Sequence, residues 1–278
     1  MKTRTIFCAL AAVAVMACGQ TVEETIKAFE ETHEAMMTEY KTMMDSLSTD
    51  REAAEAFAEE FITKYVDFNL EAAKKNSDNE ISVQALLNLR GLIEDDQVSE
   101  IIAGLSEEML QHERVVMLKE GLDARVATAE GQMFTDFTVN SVVGQTRSIP
   151  AEPIYAEVKL SDYVGKGKYI LLDFWSPWCG PCRREMPNIK AVYDKYKGDK
   201  FDVVSIAVWE RESVDVTIET AAKLEMTWNQ INNGQREPAS LYGVEGIPHL
   251  ILFGPDGTIL KRGFHGAEIE AVVSEYVK

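Results

Sequence analysis

Positive charge is scarce in this sequence. Its 278 residues include 28 Lys and Arg against 46 Asp and Glu, which gives a net charge of −18. The deficit is concentrated in residues 19–130, where 26 acidic residues stand against 10 basic ones. Such a surface repels phosphate backbones and anionic lipid headgroups. The composition therefore argues against nucleic-acid binding and against electrostatic adhesion to a membrane.

Long hydrophobic runs are also absent. The apolar stretch over residues 6–17 has 12 residues, whereas about 20 are needed to span a bilayer. Because two basic residues precede it, we interpret residues 1–17 as a signal peptide. The segment Val15-Met16-Ala17-Cys18 resembles a bacterial lipobox, although Met is unusual at its middle position. It predicts lipidation of Cys18 and an extracytoplasmic, periplasm-facing protein anchored to the cell envelope, with soluble secretion as the alternative.

Cysteine and histidine are few. Of the four cysteines, Cys8 lies in the leader and Cys18 is the lipidation candidate, so only Cys179 and Cys182 remain for the folded part. In an oxidising compartment, a single pair at this spacing favours a redox couple over a structural cross-link. Tetrahedral zinc would need two more ligands, and the four histidines offer no second pair, so we expect no metal site.

The front half of the chain is predicted to be helical. Apolar positions from residue 22 to residue 47 follow an alternating 4-3 spacing, which is typical of one long amphipathic helix. Further helices are expected over residues 51–75, 81–90, 97–105 and 106–120. We therefore place an acidic, all-helical domain at residues 18–130. The stripe over residues 22–47 would also suit a partner helix, which leaves open a docking, dimerisation or chaperone-like role.

After residue 131 the pattern changes to short β-branched and aromatic runs punctuated by Gly and Pro. Strands are expected over residues 134–143 and 154–160, joined by a hairpin-like connection, and then over residues 169–175 and 201–209. Helices are expected over residues 182–197, 213–224 and 267–277, with a hairpin over residues 250–262. This order predicts an α/β domain over residues 131–278.

One segment of this domain is diagnostic. The run from Leu172 to Cys182 contains Asp-Phe-Trp and ends in Trp178-Cys179-Gly180-Pro181-Cys182, and Gly246-Ile247-Pro248 stands before a later strand. Together these motifs resemble the thioredoxin superfamily. The lead-in over residues 131–137 and 160–163 resembles the TlpA/ResA-like branch of membrane-anchored extracytoplasmic reductases. The resemblance covers residues 131–278 and implies a thioredoxin-like fold, with a central mixed sheet flanked by helices.

The motif also assigns roles to the two cysteines. A cysteine between a strand and a helix N-terminus lies at the positive end of the helix dipole, which favours its thiolate. We therefore expect Cys179 to be the nucleophile, and Cys182, one turn further along, to be the resolving thiol. Trp178, Gly180 and Pro181 shape the turn, with Pro181 suited to the first helical turn because it needs no N–H donor there.

Two further residues complete the predicted site. Asp173 interrupts an apolar strand, and burial would raise its pKa enough to exchange a proton with Cys182. A strand-end Asp bonded to solvent or backbone is the alternative. The resemblance implies a cis peptide between Ile247 and Pro248 opposite the cysteines, where a substrate chain would pair as an added strand.

His249 and a charged run after the second buried strand each have two interpretations. His249 is expected to be a packed or surface imidazole, with tuning of a thiolate as the alternative. The charged run Glu210-Arg211-Glu212 is expected to be solvated, with lining of the approach to the site as the alternative.

The resemblance implies a protein disulfide reductase with no cofactor besides the Cys179–Cys182 pair. Gly-Pro is the pair of residues between the cysteines of reducing thioredoxins, whose reduction potential is about −270 mV. Its partners would be disulfide-containing exported proteins and a membrane thiol-electron donor. An isomerase or an oxidant is the alternative within the same chemistry, and a helical docking or chaperone-like protein with an accessory redox domain is the alternative outside it.

Overall fold

The computed structural model describes residues 21–147 and 152–278, so the predictions for the leader, for Cys18 and for part of the connection before Pro153 lie outside the described residues. The chain divides into two compact units between Lys119 and Glu120. From residue 21 onward, six helices precede the first strand: α1 (Val22–Ser46), α2 (Arg51–Lys75), α3 (Glu80–Leu89), α4 (Asp95–Ala103), α5 (Glu107–Leu110) and α6 (Glu113–Ala127).

The two long helices begin at good caps and pack through aromatic side chains. Thr21 and Glu24 form a reciprocal capping box at the start of α1, and the Asp50 side chain accepts from the N–H of Ala53 at the start of α2. The rings of Phe29 and Phe68 stack with their centroids 5.2 Å apart. The 4-3 stripe of α1 therefore supplies core contacts inside the first unit.

The prediction of one helix over residues 106–120 was wrong, because α5 ends at Leu110 and α6 begins at Glu113, directly after His112. The His112 carbonyl oxygen accepts from the N–H groups of Val115 and Val116, and its Nδ1 accepts from the N–H of Arg114 at 3.2 Å. A histidine ring thus fills the position that Ser, Thr, Asp or Asn usually occupies at a helix start.

The second unit is built on a mixed sheet. Its strands and helices are β1 (Thr138–Gln145), β2 (Pro153–Lys159), a 3₁₀ turn (Leu160–Asp162), β3 (Tyr169–Trp175), α7 (Gly180–Tyr196), β4 (Phe201–Ala207), α8 (Val214–Lys223), β5 (Asn229–Ile231), α9 (Glu237–Leu241), β6 (His249–Phe253), β7 (Ile259–Arg262) and α10 (Glu268–Tyr276). Five strands form one sheet in the order β5-β4-β3-β6-β7, and β1 pairs with β2 in a separate ribbon. The predicted α/β arrangement around a central mixed sheet is confirmed, whereas the short elements β5 and α9 were not predicted.

β3 is the central strand and is buried on both faces. It runs parallel to β4 and antiparallel to β6. Leu171 and Trp175 face a core that also contains both cysteines of the motif, whereas Leu172 and Phe174 face a second core on the other side of the sheet. Because side chains alternate along a strand, Asp173 lies on the same face as Leu171 and Trp175, which is the cysteine face.

Across the described residues, none of the helices combines the length and the apolar character that crossing a membrane requires.

Candidate active site

The cysteine pair lies where β3 passes into α7. Cys179 is the N-cap residue of this helix, and its Sγ accepts from the N–H of Cys182 at 3.1 Å. The two residues form a disulfide with a Cα–Cα distance of 5.3 Å. The sequence predicted that this helix begins at Cys182. It begins at Gly180, because the sulfur of Cys179 caps it. In the reduced protein the same N–H group and the helix dipole would stabilise a Cys179 thiolate.

The peptide between Ile247 and Pro248 faces this pair and is cis. The carbonyl oxygen of Ile247 lies 3.6 Å from the Sγ of Cys179. Ile247 and Pro248 directly precede β6, which begins at His249. A groove of about 650 Å³ runs beside the pair, between one turn of α7 and the loops next to β6. The lining comes from Pro181, Arg184, Glu185 and residues 246–249, 263 and 265. The groove therefore presents the backbone around Pro248 next to the attacking sulfur.

Asp173 is fully buried in the interior behind the cysteines. Its burial raises the pKa of the carboxyl to about 7; a hydrogen bond from Ser205 opposes this rise, and the nearby charge of Glu185 adds to it. Oδ2 accepts from the Ser205 hydroxyl at 2.8 Å, whereas Oδ1 has no hydrogen-bond partner among the described residues. A carboxyl with this pKa can accept and return a proton near neutral pH.

Ser205 and Trp228 belong to this site and were not predicted from the sequence. Ser205 lies directly opposite Asp173 in the parallel pairing of β3 with β4. The indole N–H of Trp228 donates to the Ser205 hydroxyl at 2.8 Å. A serine within the otherwise apolar segment from Val203 to Ala207 was the available signal.

Trp178 stands at the surface of the site with 38% of its area exposed. Its indole N–H donates to the carbonyl oxygen of Trp209 at 2.9 Å, and the guanidinium of Arg211 lies 3.8 Å from its ring centroid. Glu210 turns inward, where its Oε2 accepts from the N–H of Gln235 at 3.0 Å and burial raises its pKa. The prediction that this charged run is solvated was therefore wrong for Glu210, which is half-buried, whereas Arg211 and Glu212 are exposed and Arg211 also lies over the active-site indole.

His249 is packed against its neighbours, as the sequence favoured. Burial, followed by the positive charge of Arg262, lowers its pKa to about 4. A guanidinium can only donate, so Nη2 of Arg262 donates to Nε2 of His249 at 3.3 Å, and the neutral ring carries its proton on Nδ1. His249 therefore stays uncharged at neutral pH while it lines the groove.

Within residues 21–147 and 152–278, no three His, Cys, Asp or Glu side chains come together as a metal ion would require. The donor set at the motif is a pair of sulfur atoms already joined to each other, with a buried carboxyl on the same face of the sheet. Its chemistry is that of a two-electron dithiol/disulfide couple.

Residues 131–278 contain the part of the chain that is similar to a known protein family, and about half of the chain is similar to curated relatives. The model of the AhpC/TSA family matches residues 131–262. Thiol-disulfide oxidoreductase ResA of Bacillus thuringiensis subsp. konkukian is 27% identical over 123 residues, which are 44% of this chain and 68% of that protein. Thiol-disulfide oxidoreductase ResA of Geobacillus kaustophilus is 29% identical over 136 residues, which are 49% of this chain and 69% of that protein.

Solved structures of similar description also align with the chain. The crystal structure of the thioredoxin domain of a thiol-disulfide oxidoreductase from Bacteroides vulgatus is 25% identical and gives a TM-score of 0.45. The alignment covers 54% of this chain and 99% of that domain.

Proposed function

Since this chain carries a TlpA/ResA-like domain of the thioredoxin superfamily, we propose that it reduces disulfides of exported proteins by dithiol–disulfide exchange through Cys179 and Cys182. The observation that carries the proposal is the position of Cys179. Its sulfur caps α7 and lies 3.6 Å from the carbonyl oxygen before Pro248. A nucleophilic sulfur and a backbone surface for a substrate chain therefore stand side by side.

The first step is attack by the reduced protein. The Cys179 thiolate attacks one sulfur of the substrate disulfide, so that a mixed disulfide forms and the substrate S–S bond breaks. The released substrate thiolate takes a proton from solvent. The helix N-terminus stabilises the attacking thiolate, which keeps it available near neutral pH.

The second step releases the substrate. Asp173, as the carboxylate, accepts the thiol proton of Cys182, and the resulting thiolate attacks the sulfur of Cys179. The mixed disulfide breaks, the Cys179–Cys182 disulfide forms, and the second substrate thiolate is protonated. In sum, two electrons pass from the protein to the substrate. Of the two protons that the substrate gains, one comes from solvent, and the Cys182 proton received by Asp173 balances the other. A carboxyl with a pKa of about 7 suits this transfer, because it binds and releases a proton near neutral pH.

Substrate chains would bind along the groove beside the cysteine pair. The backbone of residues 246–248 would pair with an extended segment on either side of the substrate cysteine, as in β-strand addition. Arg184, Glu185 and His265 line the same groove and would contact the substrate side chains. This arrangement favours substrate proteins whose disulfide lies in an accessible, extended segment.

The direction of exchange depends on the reduction potential. Gly180-Pro181 between the cysteines favours a potential near that of reducing thioredoxins, about −270 mV. A reductase must be regenerated by a dithiol that becomes a disulfide, so a membrane thiol-electron donor is the proposed source of electrons. A measured potential above about −180 mV would replace the reductase with an isomerase or an oxidant. No cofactor beyond the cysteine pair is proposed.

The cell envelope is the proposed location. The leader over residues 1–17 and Cys18 support a lipid anchor. Besides these, the chain has only the cysteine pair of the motif, which suits a redox protein in an oxidising compartment. Labelling of cells with a radioactive fatty acid tests the anchor. Incorporation that is lost in Cys18→Ser supports it, and an unlabelled wild-type protein contradicts it.

Insulin reduction tests the activity. The wild type should precipitate the insulin B chain with dithiothreitol as the electron source, and Cys179→Ser should fall to the uncatalysed rate. The control is Ser141→Ala, which changes a buried serine on β1 and should keep the activity. Full activity without Cys179 would end the enzyme proposal and favour a binding role for the helical half.

A further inference from the structure

Asp173 has few polar neighbours in its buried setting. At the N-terminus of α7 the two cysteines lie in the core on its side of the sheet, and the charge of Glu185 on α7 also acts on Asp173. From β6 the residue paired with it is the apolar Leu250. From β4 it is Ser205. Ser205 is thus the one hydrogen-bond donor to the Asp173 carboxyl among the described residues.

The hydrogen bond from Ser205 has a fixed direction. An indole N–H can only donate, so the bond from Trp228 Nε1 occupies a lone pair of the Ser205 hydroxyl. The hydroxyl has a single proton, and the remaining partner within reach is Oδ2 of Asp173 at 2.8 Å. Ser205 and Trp228 are 0% and 4% exposed, so the pair is shielded from bulk water. The hydroxyl proton therefore points at Asp173.

This directionality makes the two carboxyl oxygens inequivalent. Oδ2 is held as an acceptor, whereas Oδ1 is buried and has no partner among the described residues. We propose that Ser205, oriented by Trp228, is a positioning residue that reserves Oδ2 as an acceptor and assigns the exchangeable proton of Asp173 to Oδ1. The inference deepens the proposed function and rests on it for the use of that proton in the release step.

The chain from Trp228 through Ser205 to Asp173 also stabilises the charged carboxylate. A donor of fixed direction stabilises the ionised form more than the protonated form, because a hydrogen bond to a charged oxygen is stronger than one to a neutral oxygen. Without it, the carboxyl would hold its proton to higher pH, and fewer molecules would have an Asp173 ready to accept the Cys182 proton at neutral pH. Ser205 therefore tunes the pH range in which the mixed disulfide is resolved.

The test is a ¹³C NMR titration of Asp173 in the oxidised full-length protein, with its carboxyl signal assigned by Asp173→Asn. Ser205→Ala should raise the midpoint by about one pH unit or more, as expected for loss of a hydrogen bond to a charged group. Trp228→Phe should raise it by less, because the serine hydroxyl remains but can then accept from the protonated acid. Ser205→Thr should restore the wild-type midpoint, and the control Ser141→Ala should not move it.

Kinetics supply the second readout. Resolution of a preformed mixed disulfide at Cys179 should reach half its maximal rate at a pH that rises with the Asp173 midpoint. In Ser205→Ala the rate at a pH below both midpoints should fall about tenfold for each pH unit of that shift.

Three results would overturn the proposal: an unchanged midpoint in Ser205→Ala, a larger shift in Trp228→Phe than in Ser205→Ala, or a resolution profile that ignores a shifted midpoint. Should Ser205→Ala fail to fold, an unchanged midpoint in Trp228→Phe overturns it, and a raised one supports it. The titration is made on the oxidised protein, so it stands apart from the proposed function, whose failure would be seen as activity retained in Cys179→Ser.

Discussion

Replacement of Asp173 by Asn should change how the stability of the second unit depends on pH. The side chain is fully buried and its pKa is raised to about 7 from an ordinary value of 3.8. Because the folded carboxyl binds its proton more tightly than the unfolded one, folding is favoured at low pH. This stability is fully present below about pH 4 and is lost as the pH rises towards 7.

The size of the effect follows from the two pKa values. They differ by about 3 units, and each unit corresponds to about 1.4 kcal/mol, so the wild type should lose about 4 kcal/mol of unfolding free energy between pH 4 and pH 8 from this group. Asparagine does not titrate. Its amide changes the free energy of unfolding by the same amount at every pH. The stability of Asp173→Asn relative to the wild type should therefore rise by about 4 kcal/mol from pH 4 to pH 8.

Urea unfolding of the oxidised proteins, followed by tryptophan fluorescence, measures this difference. All four tryptophans lie in the second unit, at positions 175, 178, 209 and 228, so the signal reports that unit alone. Ser141→Ala is the control, because loss of its buried hydroxyl should lower stability equally at every pH. Parallel stability profiles for the wild type and Asp173→Asn from pH 4 to pH 8 would show that the Asp173 carboxyl does not have a raised pKa in the folded protein.

Three further predictions concern other contacts. Arg211→Gln should make Trp178 more accessible to acrylamide quenching and slow thiol–disulfide exchange about two- to fivefold, which corresponds to the free energy of an exposed cation–π contact. Unchanged quenching would contradict the contact between Arg211 and Trp178. Since the pKa of His249 is lowered to about 4, His249→Gln should leave the shape of the activity profile between pH 5.5 and 8.5 unchanged, and loss of an inflection there would contradict this. Tyr65→Phe removes a 2.8 Å hydrogen bond to His33 in the helical unit and should lower the free energy of unfolding of that unit by about 1 kcal/mol. Urea unfolding followed by far-UV circular dichroism measures this loss, and an unchanged free energy of unfolding would contradict the contact.

The second unit could be largely anticipated because its strongest signals are local. The continuous apolar run of β3, the cysteine motif and the Gly-Ile-Pro segment each indicate one structural feature at one place in the chain. Asp173 was found because a carboxylate within a buried strand conflicts with the pattern around it. Burial with a raised pKa is what the structure reports for that residue.

Contacts between distant segments could not be anticipated in the same way. The bond between Ser205 and Trp228 joins residues 23 positions apart, and Ser205 meets Asp173 only through the register of β3 on β4. The stack of Arg211 on Trp178 depends on how the loop after β4 turns back over the helix start. Sequence spacing shows neither contact, since both depend on the tertiary fold. The break at His112 was missed for a local reason, because histidine is an uncommon helix cap.

Cys179 is proposed to attack the disulfides of other proteins. To test this attack, Cys182→Ala is expressed in the native compartment and its disulfide-linked adducts are analysed by mass spectrometry under non-reducing conditions. We expect adducts joined through Cys179 to exported proteins, and no such adducts in Cys179→Ser/Cys182→Ala. An adduct-free Cys182→Ala protein, or the same adducts in the double variant, would contradict it.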